Sequence, residues 1–142
     1  MKPSINMTDA IAAARRVLEG RAEVRLAYLF GSAARGEDRR SSDLDVGVVF
    51  SPIPAPALLD QLATDLEAAT GRRVDLVVLN EAPPLLTHEA IRAGRVIVCR
   101  AEEGRVRFET RATARYLDTA YLRRVQHHYL RERAETRRAH SA

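Results

Sequence analysis

The chain has 142 residues, 46% hydrophobic, 30% charged and 5% aromatic, with a net charge of +4; this length suits one ordinary domain with a real core, and the composition excludes a disordered chain. The longest apolar stretches are strand-sized and the first twenty residues mix acids with bases, so neither a membrane-spanning helix nor a secretory leader is expected, and the cytoplasm is the expected compartment. Cys99 is the single cysteine, which excludes an internal disulfide and a multi-cysteine zinc site and reads as a buried, inert thiol.

Taken in chain order, Thr8 or Asp9 is placed to cap a helix through Ile11, Ala14 and Leu18 that Gly20 stops. Residues 24–30 form a short apolar run ended by Gly31 and read as a buried strand. After a polar segment over 32–42, residues 43–50 predict a second strand closed by Pro52 and Pro54, pairing with the first like a hairpin. Leu58, Leu59, Leu62 and Leu66 are spaced for an amphipathic helix over 56–70, and Gly71 ends it. A strand over 74–79 follows, then a helix opened by Pro83 and Pro84 and closed by Gly94, then a short strand over 96–99. From Gly104 onward Phe108, Ala112, Tyr116, Leu122, Val125 and Tyr129 recur at helical intervals. The expected fold is therefore α+β: a small mixed sheet of about four strands flanked by helices, with a core over 1–100 and a helical Arg/Tyr-rich extension over 101–142 that packs on the core or docks a partner.

Charge is uneven along this order. Residues 1–100 carry 13 Lys+Arg against 13 Asp+Glu, and residues 101–142 carry 10 against 6. A basic tail is open to nucleic acid, an acidic partner or plain solvation, with the solvated face the commonest. His127 and His128 are adjacent, so on a helix they diverge by about 100° and cannot share one metal; they read as surface or interface residues. His88, in the helix after the two prolines, reads as a capping or packing residue.

The chemistry concentrates in Gly31-Ser32-Ala33-Ala34-Arg35-Gly36 and the following Ser42-Asp43-Leu44-Asp45. Gly31 at a strand end lets backbone approach a phosphate, Ser32 offers a hydroxyl and an N–H, and a short helix starting there aims its N-terminus at an anion. Asp43 and Asp45, two apart on a strand, project from one face roughly 6 to 7 Å apart. Two acids so placed repel each other unless a divalent cation neutralises them, and Mg²⁺ is the natural one. Asp75 stands in an otherwise apolar strand, where a charge needs a metal, a partner or solvent. If that strand neighbours the second, three carboxylates converge around a phosphoryl group, and Asp75 is placed to take the proton of an attacking hydroxyl.

Gly-Ser, one variable residue, Ala-Arg-Gly, a short spacer and Ser-Asp-x-Asp resemble the hallmark of the minimal nucleotidyltransferases of the DNA polymerase beta superfamily. The chain size, the strand around Asp75 and the Arg/Tyr-rich tail are similar to the MntA adenylyltransferase antitoxins of type VII toxin–antitoxin systems. The resemblance implies transfer of AMP from ATP, with Mg²⁺, onto a tyrosine of a HEPN-domain ribonuclease toxin. It implies that Gly31 and Ser32 bind the triphosphate, with Arg35 and Ser42 as further nucleotide-binding candidates, and that Asp43, Asp45 and Asp75 form a catalytic, metal-holding triad. Two alternatives stay open: a nucleotidyltransferase acting on a small-molecule hydroxyl, and a non-catalytic antitoxin that acts by binding. Direct nucleic-acid binding is the less favoured use of the tail, and no membrane partner is expected.

Overall fold

A computed structural model describes residues 6–31 and 43–140. The element order is α1 (Met7–Glu19), β1 (Val24–Phe30), β2 (Leu44–Phe50), α2 (Pro56–Thr70), β3 (Val74–Val78), α3 (Pro84–Ala93), β4 (Arg95–Cys99) and α4 (Glu102–His140). The four strands form one mixed sheet in the order β3-β2-β1-β4. β1 pairs antiparallel with both β2 and β4, whereas β2 and β3, joined through α2, run parallel. The parallel pair follows from the connection, since a helix-length crossover returns the chain in the same direction while a turn reverses it.

Side chains alternate between the faces of each strand, and both faces are covered. Ala27, Leu29, Val46, Val48 and Val74 pack with Ile11, Leu18, Leu62 and Leu66 beneath α1 and α2. Leu26, Tyr28, Phe30 and Leu79 face the other way, under α3 and the start of α4, with Ala90 and Phe108. Gly47 belongs to this second face, and its missing side chain is what admits Leu79, whose methyl carbon would lie 2.9 Å from a β-carbon at 47.

Polar contacts fasten the layers. Beyond the end of β3, the Asn80 side chain donates to the Phe50 carbonyl at 2.9 Å and accepts the Phe50 N–H at 2.8 Å, continuing the ladder where backbone pairing stops. Arg100 donates to the carbonyls of Val24, Leu18, Glu19 and Arg21, satisfying the open end of α1. The fully buried Tyr28 hydroxyl donates to Glu109 at 2.6 Å and ties the sheet to α4.

Several expectations shift. Asn6 caps α1, its side chain accepting the Asp9 N–H at 2.8 Å, so neither Thr8 nor Asp9 is the cap; asparagine is as good a cap as either, and the helix starts at Met7, four residues before Ile11. β2 begins at Leu44, leaving Asp43 just before the strand. The tail is one continuous 39-residue helix beginning at Glu102. Of its aromatic residues, Phe108 and Tyr116 are partly covered, but Tyr121 and Tyr129 are exposed and cover no sheet. Among the described residues no helix is long and apolar enough to cross a membrane.

Candidate active site

The site is assembled at the end of the sheet where β1 stops and β2 begins. Gly31 closes β1 with φ of 73°, a left-handed conformation that side chains disfavour. Its neighbour Phe30 is paired with Asp45 on β2. A β-carbon at position 31 would collide with the Asp45 carboxylate, so glycine is required both for the turn and for the space above the strand end.

Asp45 and Asp75 are directly paired across the parallel β2–β3 ladder. Val46 and Val48 on β2 and Val74 on β3 point into the α1/α2 core, so Asp45 and Asp75 share the opposite face. Adjacent strands lie about 4.8 Å apart, which sets the two acids shoulder to shoulder. Asp43, exposed, stands just ahead of them, while Asp45 is half-buried and Asp75 exposed. The Asp45 carboxyl is held above its ordinary value, first by burial, then by the charge of Asp75, then by that of Asp43. Asp45 thus sits where the charges of both other acids reach it.

This donor set fits a divalent cation: hard oxygen ligands whose mutual repulsion an ion would relieve, beside a glycine that leaves room for it. Among the described residues no three His, Cys, Asp or Glu side chains close into a complete ligand cluster. Asp43, Asp45 and Asp75 therefore do not close on one point, contrary to the convergence expected from the sequence; Mg²⁺ is commonly held by one or two carboxylates together with phosphates and water. Ser32, Arg35 and Ser42, the remaining nucleotide-binding candidates, lie outside the described residues.

A family model described as Polymerase beta, Nucleotidyltransferase matches residues 13–103. The chain belongs to this nucleotidyltransferase family. Protein adenylyltransferase MntA of Thermococcus cleftensis is 41% identical over 68 residues, covering 48% of this nucleotidyltransferase and 69% of the relative. Two solved structures share the fold. One is a toxin–antitoxin with AMP-PNP, with a TM-score of 0.74 at 24% identity, covering 89% of this chain and 98% of the other. The second, a tri-AMPylated Shewanella oneidensis HEPN toxin in complex with MNT antitoxin, aligns with a TM-score of 0.74 at 20% identity over 87% and 98% of the two chains.

Other singled-out residues of this nucleotidyltransferase fall away from the carboxylates. His88 stacks flat on Tyr116, ring centroids 3.7 Å apart, and so packs α3 against α4. His128 pairs with Glu132 on the surface of α4. Cys99 is exposed, which corrects the expectation of a buried thiol: it ends β4, a strand at the edge of the sheet. Partial desolvation, then the hydrogen bond and charge of Glu102, raise its pKa and keep it a thiol, so it stays a poor nucleophile. Sequence reasoning missed a second charged feature, a cleft of about 710 Å³ between the far end of the sheet and α4. Its signal was present as Arg107, Arg111 and Arg115, each four residues from the next.

Proposed function

We propose that this nucleotidyltransferase is a Mg²⁺-dependent protein adenylyltransferase, acting as a cytoplasmic antitoxin that moves AMP from ATP to a tyrosine of a HEPN-domain ribonuclease toxin. The observation that carries the reading is the in-register pair Asp45 and Asp75 against the Gly31 turn. The names of its relatives and structural neighbours favour a HEPN toxin as the protein acceptor and an adenine nucleotide as the donor, and the tyrosine follows from the family resemblance.

Asp43 and Asp45 would hold the ion with the triphosphate, and Asp75 would complete the acidic set from the neighbouring strand. The bound ion supplies charge neutralisation for the phosphates and for the leaving pyrophosphate. Gly31 and Ser32 present backbone and hydroxyl to the phosphates, with Arg35 and Ser42 assigned supporting contacts. The acceptor hydroxyl attacks the α-phosphorus of ATP, a new P–O bond forms, the bond to the bridging oxygen breaks, and pyrophosphate departs with that electron pair. Asp75, exposed beside Asp45, takes the hydroxyl proton. The core over 1–100 does this chemistry, and the extension over 101–142 presents surface to the toxin.

Intact-mass measurement of a HEPN-domain toxin after incubation with the chain, ATP and Mg²⁺ tests the reading. A mass gain of one or more AMP groups is expected, lost in D43N/D45N while the two proteins still associate. Neutralisation of the toxin by D43N/D45N with no mass gain would replace catalysis with simple binding.

A further inference from the structure

The cleft beside α4 lies at the opposite end of the strands from the acids, lined by Leu26 and Val49 where Asp45 pairs with Phe30 at the other end. Its floor is aliphatic, with Leu26, Val49 and Leu79, and its wall is a ridge of arginines, Arg107, Arg111 and Arg115. Four-residue steps on a helix rise about 6 Å each, so the ridge spans about 12 Å. Several other arginines are engaged: Arg21 with Asp65, Arg92 with Glu89, Arg105 with Glu102 and Glu109, and Arg100 with four carbonyls. Among the described residues the three ridge guanidiniums have no ion-pair partner, although Glu103 also lines the cleft and Asp118 lies three residues beyond Arg115. Like charges one turn apart weaken a helix, so this ridge is a standing electrostatic cost that an anionic ligand would remove.

The same helix face continues past the cleft. Eighteen residues are five full turns, so Val125 falls in line with Arg107 and Tyr129 with Arg111, and Leu122 falls about 20° to the side of Tyr129. These three are exposed at 45%, 57% and 57%. We propose that this face of α4 is a docking track for an amphipathic helix of the protein partner, one carrying carboxylates at four-residue spacing at one end and apolar side chains at the other. The proposal rests on the reading of the chain as one that acts on a protein. Carboxylates spaced like the guanidiniums would pair with them in register, and the apolar end would cover Leu122, Val125 and Tyr129. A single nucleic-acid strand fits less well, because such sites stack successive bases on several open aromatic rings, whereas here Phe108 in the cleft is half-buried and turned to Tyr28, and the exposed Tyr129 ring has Arg133 over it. A second copy fits less well too, since the segment over 101–142 has 10 Lys+Arg against 6 acids and would meet its own charge.

The test is fluorescence anisotropy of the full chain with a labelled, alanine-based helical peptide carrying three glutamates at four-residue spacing followed by leucines on the same face. Salt-sensitive binding is expected, weakened at least about tenfold in R107E/R111E/R115E. It is also expected to weaken in L122S/V125S, whose surface positions leave the fold intact. A labelled single-stranded RNA should bind more weakly than the peptide. No binding of the peptide, unchanged binding by either variant, or tighter arginine-dependent binding of the RNA overturns the proposal. Mg²⁺-dependent ATP binding, followed by calorimetry, should be unchanged in R107E/R111E/R115E. Its absence from the unmodified chain would strike the nucleotidyl-transfer reading and leave the peptide result to be judged by itself.

Discussion

Burial and the charges of Asp75 and Asp43 raise the Asp45 carboxyl in the folded chain above its unfolded value. The folded state therefore holds that proton more tightly. Its stabilising contribution is complete below the usual aspartate pKa of about 3.9 and is lost as pH rises through the folded value. At neutral pH, without a divalent ion, the ionised group works against the fold. D45N is therefore expected to melt at a higher temperature than the native chain at about pH 7 in chelator, with the difference closing toward about pH 3. Its AMP transfer should fall about 100-fold or more, since even the outer partners of metal ligands are worth 10- to 100-fold. Thermal melts across pH with and without Mg²⁺, beside a transfer assay, check both. Gly31→Ala forces a side chain into a left-handed turn at a cost of about 1–2 kcal/mol and drives it onto the Asp45 carboxylate. Loss of transfer together with a lowered melting temperature is the expected outcome, and a fully active G31A would contradict the geometry described for the turn. Gly31, Asp43 and Asp45 were legible because their meaning is local, a turn and a spacing of two. Asp75 was legible only as an acid out of place among valines, since its pairing with Asp45 depends on register across α2.

Among the elements, every strand and helix was readable from apolar periodicity and its Gly and Pro punctuation, and the ends moved by only a few residues. Contacts that orient the elements were not readable, because they join residues far apart in sequence. Tyr28 and Glu109 are 81 positions apart, and Arg100 reaches back to the end of α1. Neither residue type announces its partner. Tyr28 is buried and its hydroxyl, pushed well above its ordinary pKa by burial and then by Glu109, remains a donor at all working pH values. Tyr28→Phe should cost about 1.5–3 kcal/mol, the range for a hydrogen bond to a charged group, by leaving Glu109 without this donor. Urea denaturation with an unchanged slope would confirm a loss of stability without a change of compactness.

At the scale of the whole molecule, α4 extends about 58 Å, and among the described residues its first half meets the body of the protein, through α3 with Phe108, Ala112 and Tyr116 and through Tyr28 with Glu109. Among the described residues, the helix beyond Tyr116 rests on its own turns and on local pairs such as His128 with Glu132. Backbone amides over 122–138 should therefore exchange with solvent far faster than those over 105–116, a contrast that hydrogen exchange by mass spectrometry would resolve. Equal protection along the helix would mean that the free half is supported by more than itself. Sequence periodicity announced the helix but not its projection, because a stripe of Leu, Val and Tyr reads the same whether it faces a core or open solvent. Arg107, Arg111 and Arg115 set a local positive field over the cleft at the far end of the strands. Any anionic partner arriving from solution is drawn toward that end before it touches, so the rate of encounter should decline steeply with ionic strength.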